Sequence, residues 1–180
     1  MNHIMLDLET FDSSPTAMIV SIGAVKMDLE RFKLTGEEFY QIVRPGLYGT
    51  IGPDTVLWWL QQSVEAQKMF RAPAEKMMEL PEALNKFSLW ITGEGVQTNP
   101  DPPAIWGNGA TFDNVILRHA YQLCCIPAPW SYRHGFCYRT MYRNFPGNKP
   151  YEKQGVQHNA LDDAKSQALA LINIMRRLKK

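Results

Sequence analysis

Ile4-Met5-Leu6-Asp7-Leu8-Glu9-Thr10 begins as an apolar run and ends acidic. The stretch before the acids is apolar enough for a buried strand, and the two-residue period of a strand puts Asp7 and Glu9 on the same face. Two carboxylates side by side repel, and burying them is costly unless a cation neutralises them. The pair therefore suits either a strand end facing water or a ligand set for Mg²⁺ or Mn²⁺, hard cations that prefer oxygen.

Two further groups stand far along the chain. In WGNGATFDNVIL (106–117), Ala104 to Trp106 read as a short buried strand and Gly107, Asn108 and Gly109 as a turn. A helix follows to Leu123, with apolar residues at Phe112, Val115, Ile116, Ala120 and Leu123. Asp113 falls in its first turn, where the macrodipole favours an acid, and Thr111 is the expected N-cap. In HNALDDA (158–164), His158 precedes a helix with a wide apolar face that ends in the basic RRLKK. Asp163 lies five residues on, so both side chains can approach one site. Asp162 points about 100° away around the helix and is expected to take no part.

The order D-x-E, then D, then H-x(4)-D resembles the signature of the DEDDh 3′-5′ exonucleases, with the motif positions filled by Asp7, Glu9, Asp113, His158 and Asp163. DLET, SIGAVKMD (21–28) and TVLWWLQQSVEAQ (55–67) are similar to the small phage, prophage and mycobacterial exonucleases, including the exodeoxyribonuclease VIII-like and phage exonuclease A-like proteins. The chain departs from many relatives in its middle motif, GNGATFD (107–113) in place of HNAxFD. The resemblance implies an RNase H-like α/β fold with a mixed central sheet flanked by helices. It also implies hydrolytic release of nucleoside monophosphates from the 3′ ends of single-stranded DNA or RNA. Two Mg²⁺ or Mn²⁺ ions would be held by Asp7, Glu9, Asp113 and Asp163. Asp7 would bridge them, Glu9 and Asp163 would complete the ion on the nucleophile side, Asp113 would hold the other mainly through water, and His158 would be the general base.

For substrate contacts, Leu8, Thr10 and Phe11 flank the acids and offer side chains or amides to a terminal base and sugar, and Asn108 suits a site wall. Trp58 and Trp59 suit stacking on bases, although adjacent helical residues diverge by about 100°, so one at most reaches substrate and the other belongs to the core. Lys149, Lys153, Arg139 and Arg143 are candidate phosphate cations. The main rival is a catalytically silent nucleic-acid-binding module of the same fold, which a lost carboxylate would favour; none is lost. A structure-selective endonuclease is the rival among enzymes.

One hundred and eighty residues fit a single domain over 1–180. A net charge of +1 argues against a broad basic coat for nucleic acid, while leaving room for an enzyme that grips one strand end. The apolar runs are too short for a membrane span, no signal-like start is present, and the three cysteines include the adjacent pair Cys124 and Cys125. A cytoplasmic protein is expected, in the host cytoplasm if phage-encoded, without a membrane partner; a homodimer is left open. His134 and Cys137 lack a second ligand pair and are expected to be structural rather than zinc ligands. The predicted elements are strands at 3–9, 18–27, 38–43 and 104–106 and helices at 54–63, 74–91, 111–123 and 159–178. Irregular chain is expected before the last helix, and the loop-like 144–155 is expected to carry His158 as a lid.

Overall fold

The strand read from IMLDLET occupies the middle of the sheet in a computed structural model that describes residues 2–93, 102–145 and 153–179. The strands are β1 (His3–Thr10), β2 (Ile19–Asp28), β3 (Lys33–Val43), β4 (Met77–Met78), β5 (Ala104–Gly107) and β6 (Gly135–Cys137). They form one mixed sheet in the order β4-β3-β2-β1-β5-β6. The helices are α1 (Pro53–Leu60), α2 (Leu80–Thr92), α3 (Asp113–Leu123), α4 (Tyr138–Asn144) and α5 (Ala160–Leu178). None of the described helices is long and apolar enough to cross a membrane.

Helices cover both faces of β1, which is why its sequence reads as a continuous apolar run rather than an alternating one. Ile4, Leu6 and Leu8 pack under α2 and α3 with Leu84, Phe87, Ile116, Leu117 and Tyr121. Met5 points the other way, to Val25, Trp106 and the α5 residues Ala164, Ala168 and Leu171. Continuing the alternation, Asp7 and Glu9 emerge on the α5 side. The β1–β2 ladder is antiparallel and shifts register between Glu9 and Thr10, so the acids sit at an irregular strand end. The β1–β5 ladder is parallel and its last pair is Met5 with Trp106, which leaves the backbone beyond it without a strand partner on that side.

Gly23 of β2 fixes how closely α5 approaches the sheet: a β-carbon there would overlap the Ala160–Leu161 peptide. Asn159 starts the helix as N-cap, its side chain accepting from the Leu161 and Asp162 amides.

The structure corrects the sequence reading in several places. The helix expected at 74–91 begins only at Leu80, with Pro81 in its first turn, after a 3₁₀ turn at Ala74–Lys76 and the two-residue β4. Proline is tolerated in the first turn, where its missing N–H leaves no gap, and would have broken the longer helix. The segment expected to be irregular contains β6 and α4. The N-cap of α3 is Phe112, without a side-chain cap bond, and not Thr111. Much of the loop-like 144–155, including Lys149, lies outside the described residues, as do residues 94–101.

Candidate active site

Beyond the end of β5 the Leu8 amide needs a partner, and Asp113 supplies it. Its Oδ1 accepts from Leu8 N at 3.1 Å and its Oδ2 from Asn108 N at 2.7 Å. The first residue of α3 thus ties the turn after β5 to the peptide between Asp7 and Glu9. Asp163 comes from the opposite wall, on α5, where its Oδ2 accepts the His158 amide at 2.8 Å. Asp162, one residue earlier, turns away and accepts the Val156 amide at 2.8 Å. Adjacent acids on one helix therefore do different jobs, one facing the site and one holding the segment that carries the histidine.

His158 has φ of 63°, the left-handed region that side chains seldom adopt, with the Asp163 bond and the Asn159 cap holding it there. Its ring lies edge-on to Trp58 at 4.8 Å and to Trp59 at 6.0 Å. Trp59 is buried and donates its indole N–H to the Thr10 carbonyl at 2.8 Å, while Trp58 is 40% exposed. Trp59 is thus packed in the core, and Trp58 is partly exposed on the wall of the site.

These side chains line a cavity of about 480 Å³ at the end of β1. Asp7, Glu9, His158 and Asp163 border it, with Thr10, Trp58, Asn108, Arg139 and Lys153 around them; Asp113 stands behind the wall, fully buried. Some expected contacts are elsewhere. The Leu8 side chain is in the core and its amide is taken by Asp113, so Leu8 contributes to the floor rather than a free donor. Phe11 stacks on Phe70 at 5.2 Å and does not line the cavity. Arg143 is exposed and also lies off it.

Gln167 is the site residue that motif spacing missed. Its Nε2 donates to Asp7 Oδ1 at 2.7 Å, and its buried Oε1 has no partner among the described residues. The available signal was a polar residue one turn after Asp163 within an otherwise apolar stripe of α5.

The electrostatics show what is missing. Burial, then the charges of Asp113, Glu9 and Asp163, raises Asp7 well above the carboxylate range. Burial, then Asp163 and Asp113, pushes Glu9 from 4.5 to about 8. Burial takes Asp113 from 3.8 to about 6 against the pull of three backbone amides, those of Asn108, Leu8 and Asp113 itself, and of the Arg139 charge, and burial likewise raises Asp163. Burial lowers His158 below its usual 6.5. No ion pair within 4 Å relieves any of the four acids among the described residues. Ligand atoms of Glu9, His158 and Asp163 all lie within 4.8 Å of one another. An oxygen-rich, largely desolvated cluster with no cation in contact among the described residues fits a hard divalent cation.

No curated protein matches the chain. In fold, it is similar to the nuclease domain of 3'hExo, a DEDDh family member solved bound to rAMP, with a TM-score of 0.66 at 14% identity over 98% of this chain and 92% of that one. It is also similar to exonuclease I from Methylocaldum szegediense (TM-score 0.65, 16% identity, 99% of this chain) and to cell-death related nuclease 4, CRN-4 (0.64, 16%, 98%). The chain spans 41% of the length of that exonuclease I and 64% of CRN-4. These likenesses show the RNase H-like fold. Residues 2–175 match the family described as the 3'-5' exoribonuclease Rv2179c-like domain, and the chain therefore belongs to that family and is a 3′-5′ exonuclease.

Proposed function

We propose that the protein releases nucleoside monophosphates one at a time from the 3′ end of a single strand by metal-dependent phosphodiester hydrolysis. The observation that carries this is the acid cluster, with Glu9 and Asp113 buried and Asp7 and Asp163 partly buried, whose charges no protein cation balances within 4 Å among the described residues. Asp7, Glu9 and Asp163 would hold two Mg²⁺ or Mn²⁺ ions, with Asp113 acting on one of them from behind the wall. When bound, such ions lower the pKa of an attacking water and stabilise the leaving 3′-oxygen.

The chain's own residues do the rest. His158, kept neutral near pH 7 by burial, accepts the proton of the attacking water. The Asp163 carboxylate fixes the peptide from which that imidazole projects. Gln167 orients the Asp7 carboxylate. Trp58, the exposed tryptophan on the cavity wall, offers a stacking surface for the terminal base, and Arg139 and Lys153 supply local positive charge. The family description as an exoribonuclease domain, together with the rAMP bound in the 3'hExo nuclease domain, favours RNA over DNA.

The test is a time course on matched 5′-labelled single-stranded RNA and DNA, with Mg²⁺ or Mn²⁺ and with excess chelator. A ladder shortening from the 3′ end, faster on RNA, abolished by chelator and blocked by a 3′-phosphate is expected. Cleavage that continues undiminished in chelator, or internal cuts on a 3′-blocked strand, would refute the reading.

A further inference from the structure

Two other cavities flank the catalytic one. The first, of about 430 Å³, is lined by Tyr40 and Ile42 of β3 and by Lys68, Arg71 and Lys76, and it shares His158 with the catalytic cavity. The second, of about 440 Å³, lies between α3 and the edge strand β6. Only short stretches separate it from the catalytic cavity: Ser13 borders one and Pro15 the other, as do Phe112 and Ala110. The sheet order sets the first cavity on the β3 side of the acids and the second on the β6 side.

We propose that the α3–β6 cavity is a subsite for the strand upstream of the scissile bond, with Arg118 holding a phosphodiester there. The inference rests on the exonuclease reading above and extends it. Arg118 Nη1 is buried without a hydrogen-bond partner, and no ion pair engages the side chain among the described residues. A guanidinium has only donors and stays charged, so a half-buried one facing a cavity wants an anion, and a phosphate matches its fork. Asn114 is fixed on the same wall by its bonds to the Ile105 and Phe136 carbonyls. On the rim, Tyr132 is 68% exposed and offers a ring to a base.

The chemistry chooses between the two flanking cavities. In-line displacement puts the attacking water and the leaving 3′-oxygen on opposite sides of the phosphorus. His158, which takes the proton of that water, stands between the catalytic cavity and the β3-side cavity. The leaving oxygen belongs to the upstream strand, so that strand departs away from His158, across the Asn108 turn and toward Arg118. The cations of the β3-side cavity lie on the wrong side of the phosphorus to hold it.

The experiment measures kcat/KM with Mg²⁺ on single strands of two and eight nucleotides carrying a 5′-hydroxyl, with products resolved by chromatography. A dinucleotide contains only the scissile phosphodiester and offers nothing to Arg118. Arg118→Ala should therefore lower the octamer-to-dinucleotide ratio of kcat/KM about tenfold, as expected for one charge-assisted phosphate contact. It should also reduce the salt slope of octamer binding by about 0.7. Arg118→Lys, which keeps the charge and loses the fork, should recover part of the ratio. The double substitution Lys68→Ala with Arg71→Ala should leave the ratio unchanged. Because the ratio is internal to each variant, partial misfolding cancels from it. A ratio unaltered by Arg118→Ala, or one lowered only by the Lys68 and Arg71 substitutions, would overturn the subsite. If neither strand is shortened, the exonuclease reading fails instead, and octamer binding by fluorescence anisotropy still decides the role of Arg118.

Discussion

Replacing Glu9 by glutamine should stabilise the metal-free protein, and by an amount that depends on pH in a defined direction. The folded protein holds Glu9 at about 8 against 4.5 for the free group. Between those values the native state keeps a proton that the unfolded chain has released, so raising the pH through this window removes stability. Below about 4.5 both states are protonated and the penalty disappears. At 1.36 kcal/mol per pKa unit, the rise corresponds to roughly 5 kcal/mol at pH 9, the most that Glu9→Gln can recover. At about 2–4 °C per kcal/mol for a chain of this size, the variant should melt roughly 10–20 °C above the wild type at pH 9 in chelator. The gap should close near pH 4.5 and reverse in saturating Mg²⁺, where the wild type gains a ligand that the variant binds more weakly. Thermal melts at pH 5, 7 and 9, with chelator and with Mg²⁺, provide the assay. A Glu9→Gln protein that melts at or below the wild-type temperature at pH 9 in chelator, with the same offset at pH 5, would refute the argument that burial and neighbouring acids hold this carboxyl up.

Three other outcomes are expected. Asp163→Ala should cost orders of magnitude in turnover, whereas Asp162→Ala should keep most of it and lose about 1 kcal/mol of stability with the Val156 amide bond; equal rate losses would mean the two acids have been assigned the wrong way round. The wild-type rate should rise with pH through an imidazole limb centred below 6.5, because burial lowers His158, and His158→Ala should flatten that limb while calorimetry still detects Mg²⁺ binding; an unchanged pH profile in the variant would remove His158 as the base. Gln167→Leu should weaken Mg²⁺ binding about 10-fold to 100-fold, read from the Mg²⁺ concentration needed for half-maximal rate, because Asp7 loses the donor that orients it; an unchanged Mg²⁺ requirement would leave Gln167 a packing residue.

The elements that carry the site were legible in the sequence because each is anchored by a long periodic signal. β1 opens on the apolar run of Ile4, Met5 and Leu6 and α5 is a nineteen-residue amphipathic helix, and Asp7, Glu9 and Asp163 inherit their directions from those periods. Asp113 was placed on the right turn of α3 but with the wrong cap, because its carboxylate is spent on amides of the chain before it rather than on the helix end. β4, β6 and α4 were missed because two, three and seven residues are too few to show a period. Their positions depend on partners distant in sequence, such as the pairing of Gly135 with Ile105. The directions of the Leu8 and Phe11 side chains were not legible for a related reason. Proximity in sequence to a catalytic acid says nothing about the face a side chain takes, and strand alternation sends Leu8 into the core.

Gly23 bears on how a mutational survey of this protein would read. It belongs to the SIGAVKMD stretch, borders no part of the catalytic cavity, and would pass for filler in a strand. Yet the first turn of α5 rests on it, and that helix carries Asp163 and Gln167 and is entered through His158. Alanine at position 23 would lift these groups together from the strand that bears Asp7 and Glu9. Scored by activity alone, it would be indistinguishable from the loss of a catalytic side chain, though the substrate meets none of its atoms.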